Sequence, residues 1–127
     1  MKLVLLTITL FTTTLLSAQD LTGKWVNASF SGEENFAYVF TKEGTMEMFY
    51  GGTKIETEEP VLYTLTPKGD FHHLEFSYTK KKSSFSADVL GLIRFTGEDV
   101  MELETFSKKS LPKELDFTEE SMMFSRE

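Results

Sequence analysis

Between residues 35 and 106 apolar side chains recur at every second position in short runs. Turn-forming residues break these runs about every ten residues, and that pattern constrains the chain more than any other feature, because period two is the repeat of a strand with one buried face. The alternation predicts strands over residues 23–30, 35–41, 45–50, 61–66, 71–78, 84–95, 100–106 and 121–125. Between them, Lys42-Glu43-Gly44, Pro67-Lys68-Gly69-Asp70 and Thr96-Gly97-Glu98-Asp99 carry the glycines and the proline that tight hairpins use. No stretch sustains a 3.6-residue period; residues 111–120, after Leu111-Pro112, have room for one short helical turn.

Hairpin following hairpin makes neighbouring strands antiparallel, and eight short strands must protect their edges from unwanted pairing. An up-and-down eight-stranded antiparallel barrel does so by closing on itself. A two-sheet β-sandwich is the alternative, but Greek-key connections ask for a long crossing, and only residues 51–60 and 108–120 are long enough to supply one. The expected fold class is therefore all-β, with the barrel preferred.

The first residues have a different character. Lys2 precedes an apolar run over residues 3–16 that contains no acidic group, and the small residues Ser17 and Ala18 follow. The run is shorter than the roughly 20 residues that span a bilayer, so residues 1–18 are expected to be a cleaved signal peptide, leaving a single domain over 19–127. Taking 18 residues from 127 leaves 109, and losing Lys2 moves the formal charge from −7 to −8. The chain has no cysteine, so neither a disulfide nor a lipoprotein anchor can form, and the expected location is periplasmic or secreted with no membrane anchor. An acidic domain whose basic cluster is Lys80-Lys81-Lys82 is a poor nucleic-acid binder.

Leu21-Thr22-Gly23-Lys24-Trp25 resembles the Gly-x-Trp entrance strand of the calycin superfamily, the group of lipocalins, fatty-acid-binding proteins and avidins. Phe124-Ser125-Arg126 is similar to the closing strand in which such barrels lay an arginine over the tryptophan. The resemblance is closest to small bacterial lipocalin-like domains and covers residues 20–127. It implies that Gly23, Trp25 and Arg126 plug one end of the barrel, with cation–π energy of about 0.5–2 kcal/mol from the guanidinium. The Thr-Asp-Tyr turn of classical lipocalins is missing, and Trp25 is the single tryptophan, where avidins place several around biotin.

Alternation assigns the interior to Phe36, Tyr38 and Phe40; Met46, Met48 and Tyr50; Val61, Tyr63 and Leu65; Leu74 and Phe76; Ala87, Val89, Gly91 and Ile93; Met101 and Leu103. An eight-stranded barrel is wide enough either to be filled by its own side chains or to hold one small ligand. Ala87 and Gly91 are the positions expected to leave room. The expected function is binding of a small, largely apolar molecule, with Tyr38, Tyr50 and Tyr63 orienting it and Met48, Phe76 and Ile93 supplying contact area. The alternative is a filled, rigid barrel that engages a protein partner through its outer face or its loops at 31–35 and 51–59.

Other constellations point away from catalysis and metals. His72 and His73 are adjacent on one strand and face opposite ways, so they cannot share an ion. Glu56, Glu58 and Glu59 lack the glycine-centred spacing of a calcium loop. Met46, Met48, Met122 and Met123 read as core rather than as a soft-metal set. Glu102 and Glu104 share a strand face, where paired carboxylates of a glycosidase would sit, but the apolar-in, carboxylate-out alternation places them at the surface. The sequon Asn27-Ala28-Ser29 falls in a predicted strand. No serine–histidine–acid set, phosphate loop or cysteine nucleophile is present, so no enzyme, cofactor or metal is expected; Glu75, Asp88 or His72 acting inside the cavity is the minor catalytic alternative.

Overall fold

The computed structural model describes residues 20–28 and 34–127. The expected signal peptide at 1–18 lies outside them, as do Ser29 and Phe30 at the end of the predicted first strand. Among the described residues there are nine strands: β1 Gly23–Ala28, β2 Glu34–Phe40, β3 Thr45–Tyr50, β4 Thr53–Lys54, β5 Val61–Lys68, β6 Phe71–Thr79, β7 Ser86–Gly97, β8 Val100–Ser107 and β9 Met122–Arg126. Eight of them close an antiparallel barrel in which neighbours in sequence are neighbours in space, and β4 is an extra strand on β3. Closure comes from β1, which pairs with β2 from Gly23↔Phe40 onward and with β9 at Trp25↔Arg126 and Val26↔Ser125. The two-sheet alternative is thereby excluded.

Apart from the exposed two-residue β4, the strands turn an apolar face to the barrel axis, and the outer face of β7 buries Leu90 and Leu92 as well. Trp25, Phe40, Leu74, Ile93, Met101, Leu103 and Phe124 are all buried in this interior. Burial of such side chains is worth about 1.5–3 kcal/mol each, which is what a chain without disulfides depends on.

The wall is uneven at one seam. β3 pairs with β5 only at Thr45↔Leu62 and Met46↔Val61, and residues 51–60 detour between them. Gly51 and Gly52 both have left-handed backbones, φ 56° and 81°, as a two-residue hairpin loop requires, so the chain doubles back as β4 where a plain loop was expected. The detour then runs alongside the end of β6, with Glu58 N–H donating to the Thr79 carbonyl and Lys81 N–H to that of Glu56.

The expected helical turn after Pro112 is not formed. A 3₁₀ turn stands earlier, at Lys108–Ser110, where the Ser107 side chain accepts a hydrogen bond from Lys109 N–H. Residues 111–121 instead cross the outer face of β6, β7 and β8. Thr118 donates to the Glu104 carboxylate through its backbone N–H at 2.7 Å and its hydroxyl at 2.6 Å. Phe117 packs edge-on against Phe71, and the Arg94 guanidinium lies 5.1 Å from the Phe117 ring while bonding Glu102 at 2.7 Å. Glu102 and Glu104 do point outward, but this strap covers them and Glu104 is buried, so the expected surface placement is corrected.

Candidate functional site

The two ends of the barrel differ, and the difference is set by β1 and β9. At the first end Trp25 is fully buried, its indole N–H donating to the Leu21 carbonyl at 2.8 Å. The Arg126 guanidinium carbon lies 4.6 Å from the centre of the Trp25 ring. Its Nε donates to Asp99, Nη1 to the carbonyls of Asp20 and Thr22, and Nη2 to the carbonyl of Glu98. One side chain thus ties the start of β1, the end of β9 and the β7–β8 turn together. Gly23 makes the approach possible: its φ is +122°, and a Cβ there would stand 3.0 Å from Arg126 Cδ. His72 faces inward at this end, edge-on to Phe95 at 5.1 Å, and burial pushes its pKa down.

The opposite end carries the β3–β5 detour, the β6–β7 turn and the connection between β1 and β2, of which residues 29–33 lie outside the described residues. At this end lies a cavity of about 150 Å³ whose walls are the aromatic rings of Phe36, Tyr38, Phe76 and Tyr78 together with Met48, Ile55 and Val89. Phe76 and Tyr78 are stacked at 6.2 Å, and Tyr38 leans on Phe124 at 5.4 Å, so the rings of the cavity wall brace one another. Thr105 adds a hydroxyl-bearing side chain at the mouth. No side chain lining the cavity carries a formal charge. The Tyr38 and Tyr78 hydroxyls bond no described residue. Burial, with the Tyr78 phenol beside it, pushes the Tyr38 pKa up to about 12, and burial also raises that of Tyr78.

Of the residues expected to contact a ligand, the structure brings Tyr38, Met48 and Phe76 together in this wall. Tyr50 stands at the rim, 64% exposed, and reaches the cavity only through its edge-on contact with Phe36. Tyr63 and Ile93 do not line this cavity. The Tyr63 hydroxyl donates to the Thr41 carbonyl and its ring packs on Phe40, while Ile93 is sealed in the core nearer the Trp25 end. Gly91 gives no ligand space either: the room beside it is filled by Leu74 and Leu103, whose atoms would lie 3.1–3.3 Å from an added Cβ. Ala87 belongs to an outer groove with Glu58, Ser77 and Asp88. Ile55, Tyr78, Val89 and Thr105 were not selected from the sequence as ligand contacts; Ile55 is the one aliphatic residue of the 51–60 segment, and that is its only local signal.

A second hollow, of about 470 Å³, opens through the seam between β3 and β5. It shares Met48 and Ile55 with the cavity, so those two side chains separate the two spaces. The Lys54–Glu47 ion pair at 2.8 Å stands at its outer lip.

Glu75 and Asp88 project outward, Glu75 to Lys108 and Asp88 to the Ser77 hydroxyl at 2.7 Å, so neither can act inside the barrel. Among the described residues no three histidine, aspartate or glutamate side chains gather as a metal set. Compared with family models, with curated proteins and with solved structures, the chain gives no match, and the barrel geometry alone carries the functional reading.

Proposed function

We propose that this protein is an exported, lipocalin-like barrel of calycin type that binds a small, largely apolar molecule at the end opposite its Trp25–Arg126 plug and does not act as an enzyme. The carrying observation is the apolar cavity of about 150 Å³ at the end of the barrel opposite the one that Arg126 and Trp25 close. An apolar hole of that volume takes a benzene-sized guest, whereas drug-sized ligands ask for about 300 Å³ or more. Binding is by burial: each 100 Å² of ligand surface removed from water yields about 2.5 kcal/mol before ordering costs. Export is supported by the Lys2-led apolar run and the small residues at 17–18, and a soluble product by the lack of cysteine.

The test is a toluene titration followed by methyl NMR. Saturable shifts at Met48 and Ile55, with the Met101 methyl unmoved, are expected; unmoved Met48 and Ile55 signals up to the solubility limit of toluene overturn the reading. One observation favours the other reading, a protein-interaction module: Tyr50, Leu62, Phe85, Leu111 and Met123 are large apolar side chains left exposed. Recovery of one stoichiometric partner from envelope extract, lost on Leu62→Glu, would favour it.

A further inference from the structure

We infer that the cavity selects uncharged, single-ring molecules bearing one hydrogen-bonding group, and that the Tyr38 hydroxyl is the group that reads it. The inference rests on the binding reading above and narrows it to a ligand class.

Size sets the first limit, since about 150 Å³ between Phe36, Met48, Phe76 and Tyr78 holds one ring. Charge sets the second. A carboxylate placed among these side chains would lose its hydration and meet no cation, because Lys54 is engaged by Glu47 and no lysine or arginine lines the cavity. Burying an uncompensated ion costs far more than burying a neutral polar group. Hydrogen bonding sets the third limit. Tyr38 packs its ring on Phe124 and lines the cavity, and its hydroxyl bonds no described residue. A phenol hydroxyl both donates and accepts, so it serves a ligand carbonyl, ether or hydroxyl equally. Like any tyrosine it is protonated, and so able to donate, across the physiological range, and burial raises its pKa further. Tyr78 supplies a second hydroxyl nearer the rim.

The experiment uses two matched pairs of probes on the full folded chain, read by the Met48 and Ile55 methyl signals. Phenol and toluene are near-isosteres that exchange a hydroxyl for a methyl group; benzamide and benzoate exchange a neutral amide for a carboxylate. Phenol is expected to bind more tightly than toluene, and benzamide at least 10-fold more tightly than benzoate. Tyr38→Phe is expected to weaken phenol by about 2- to 10-fold, the worth of one hydrogen bond, and to leave toluene unchanged. Should benzoate match benzamide, or Tyr38→Phe leave phenol untouched while toluene still saturates, the ligand class is wrong and the binding reading survives. Should no probe move the methyl signals, both fall. A second variant, Tyr63→Phe, removes a hydroxyl outside the cavity and controls for general loosening: a loss of phenol affinity equal to that of Tyr38→Phe would also overturn the assignment.

Discussion

Trp25 and Arg126 are direct cross-strand partners in the β1–β9 pairing, and the guanidinium lies 4.6 Å from the indole ring centre. Four of the guanidinium's five N–H groups are engaged at the same time, three of them on backbone carbonyls. Stacking plus a planar fork of donors is something an ammonium cannot reproduce.

Arg126→Ala should therefore cost about 2–3 kcal/mol, from the lost cation–π contact and the hydrogen bonds it leaves unmade. Arg126→Lys should recover less than half. Urea denaturation of the three proteins side by side measures this, and a fully restored midpoint with lysine would contradict the planar-fork account.

Gly91→Ala puts a methyl group where Leu103 Cδ1 would be 3.1 Å and Leu74 Cβ 3.3 Å away. The neighbours are packed in the core and cannot both retreat, so a loss of about 1–3 kcal/mol is expected. Leu103→Ala in the same chain should relieve part of the clash, giving a double-mutant cycle that is clearly non-additive.

Thr118→Ala removes the 2.6 Å hydroxyl bond to the buried Glu104 carboxylate and leaves the backbone bond in place. A bond to a charged group is worth about 1.5–3 kcal/mol, and its loss should first loosen the strap over β6–β8. Hydrogen exchange at residues 115–121 should quicken well before the barrel strands respond.

His72 sits against Phe95 with its pKa lowered by burial below the ordinary 6.5. The folded state therefore takes up its proton at lower pH than the unfolded chain does. Stability contributed by the neutral ring is complete above 6.5 and is lost as pH falls from there through the folded pKa. His72→Phe should flatten that slope in a plot of unfolding free energy against pH.

Tyr38 gives the opposite limb. Its hydroxyl ionises at about 12 in the folded protein against 10 for an ordinary tyrosine. The neutral form is favoured by the fold, so its contribution is present below 10 and disappears as pH rises from 10 towards 12. Burial raises Tyr63 and Tyr78 as well, so an absorbance titration of the phenols should end late, and Tyr38→Phe should remove its last-ionising component.

Much of the architecture was legible because it follows from local chemistry. Phe36-x-Tyr38-x-Phe40 and Met46-x-Met48 face inward as their alternation says, and the Gly23-x-Trp25 and Phe124-x-Arg126 segments meet as partners. What stayed hidden depends on distant contacts. The strap lies extended because Thr118 finds Glu104, fourteen residues earlier, and a segment read alone cannot reveal that partner. Gly91 looked like spare room, but whether a glycine leaves a void depends on which side chains lean across it, here Leu74 and Leu103. Ile55 joined the cavity wall because Gly51-Gly52 reverse the chain into β4, a hairpin too short for alternation to show.

Closing the ring with β9 against β1 also has a kinetic cost. Arg126 reaches the carbonyl of Asp20, a partner 106 positions away, so the join that removes the last free edges is the most non-local contact described in the protein. Loop-closure entropy makes such a join slow to form, and a nascent chain lacking residues 122–126 would expose two bare strand margins at once. The five residues of β9 thus do more than pair: they withhold from other chains the two margins at which foreign strands could add.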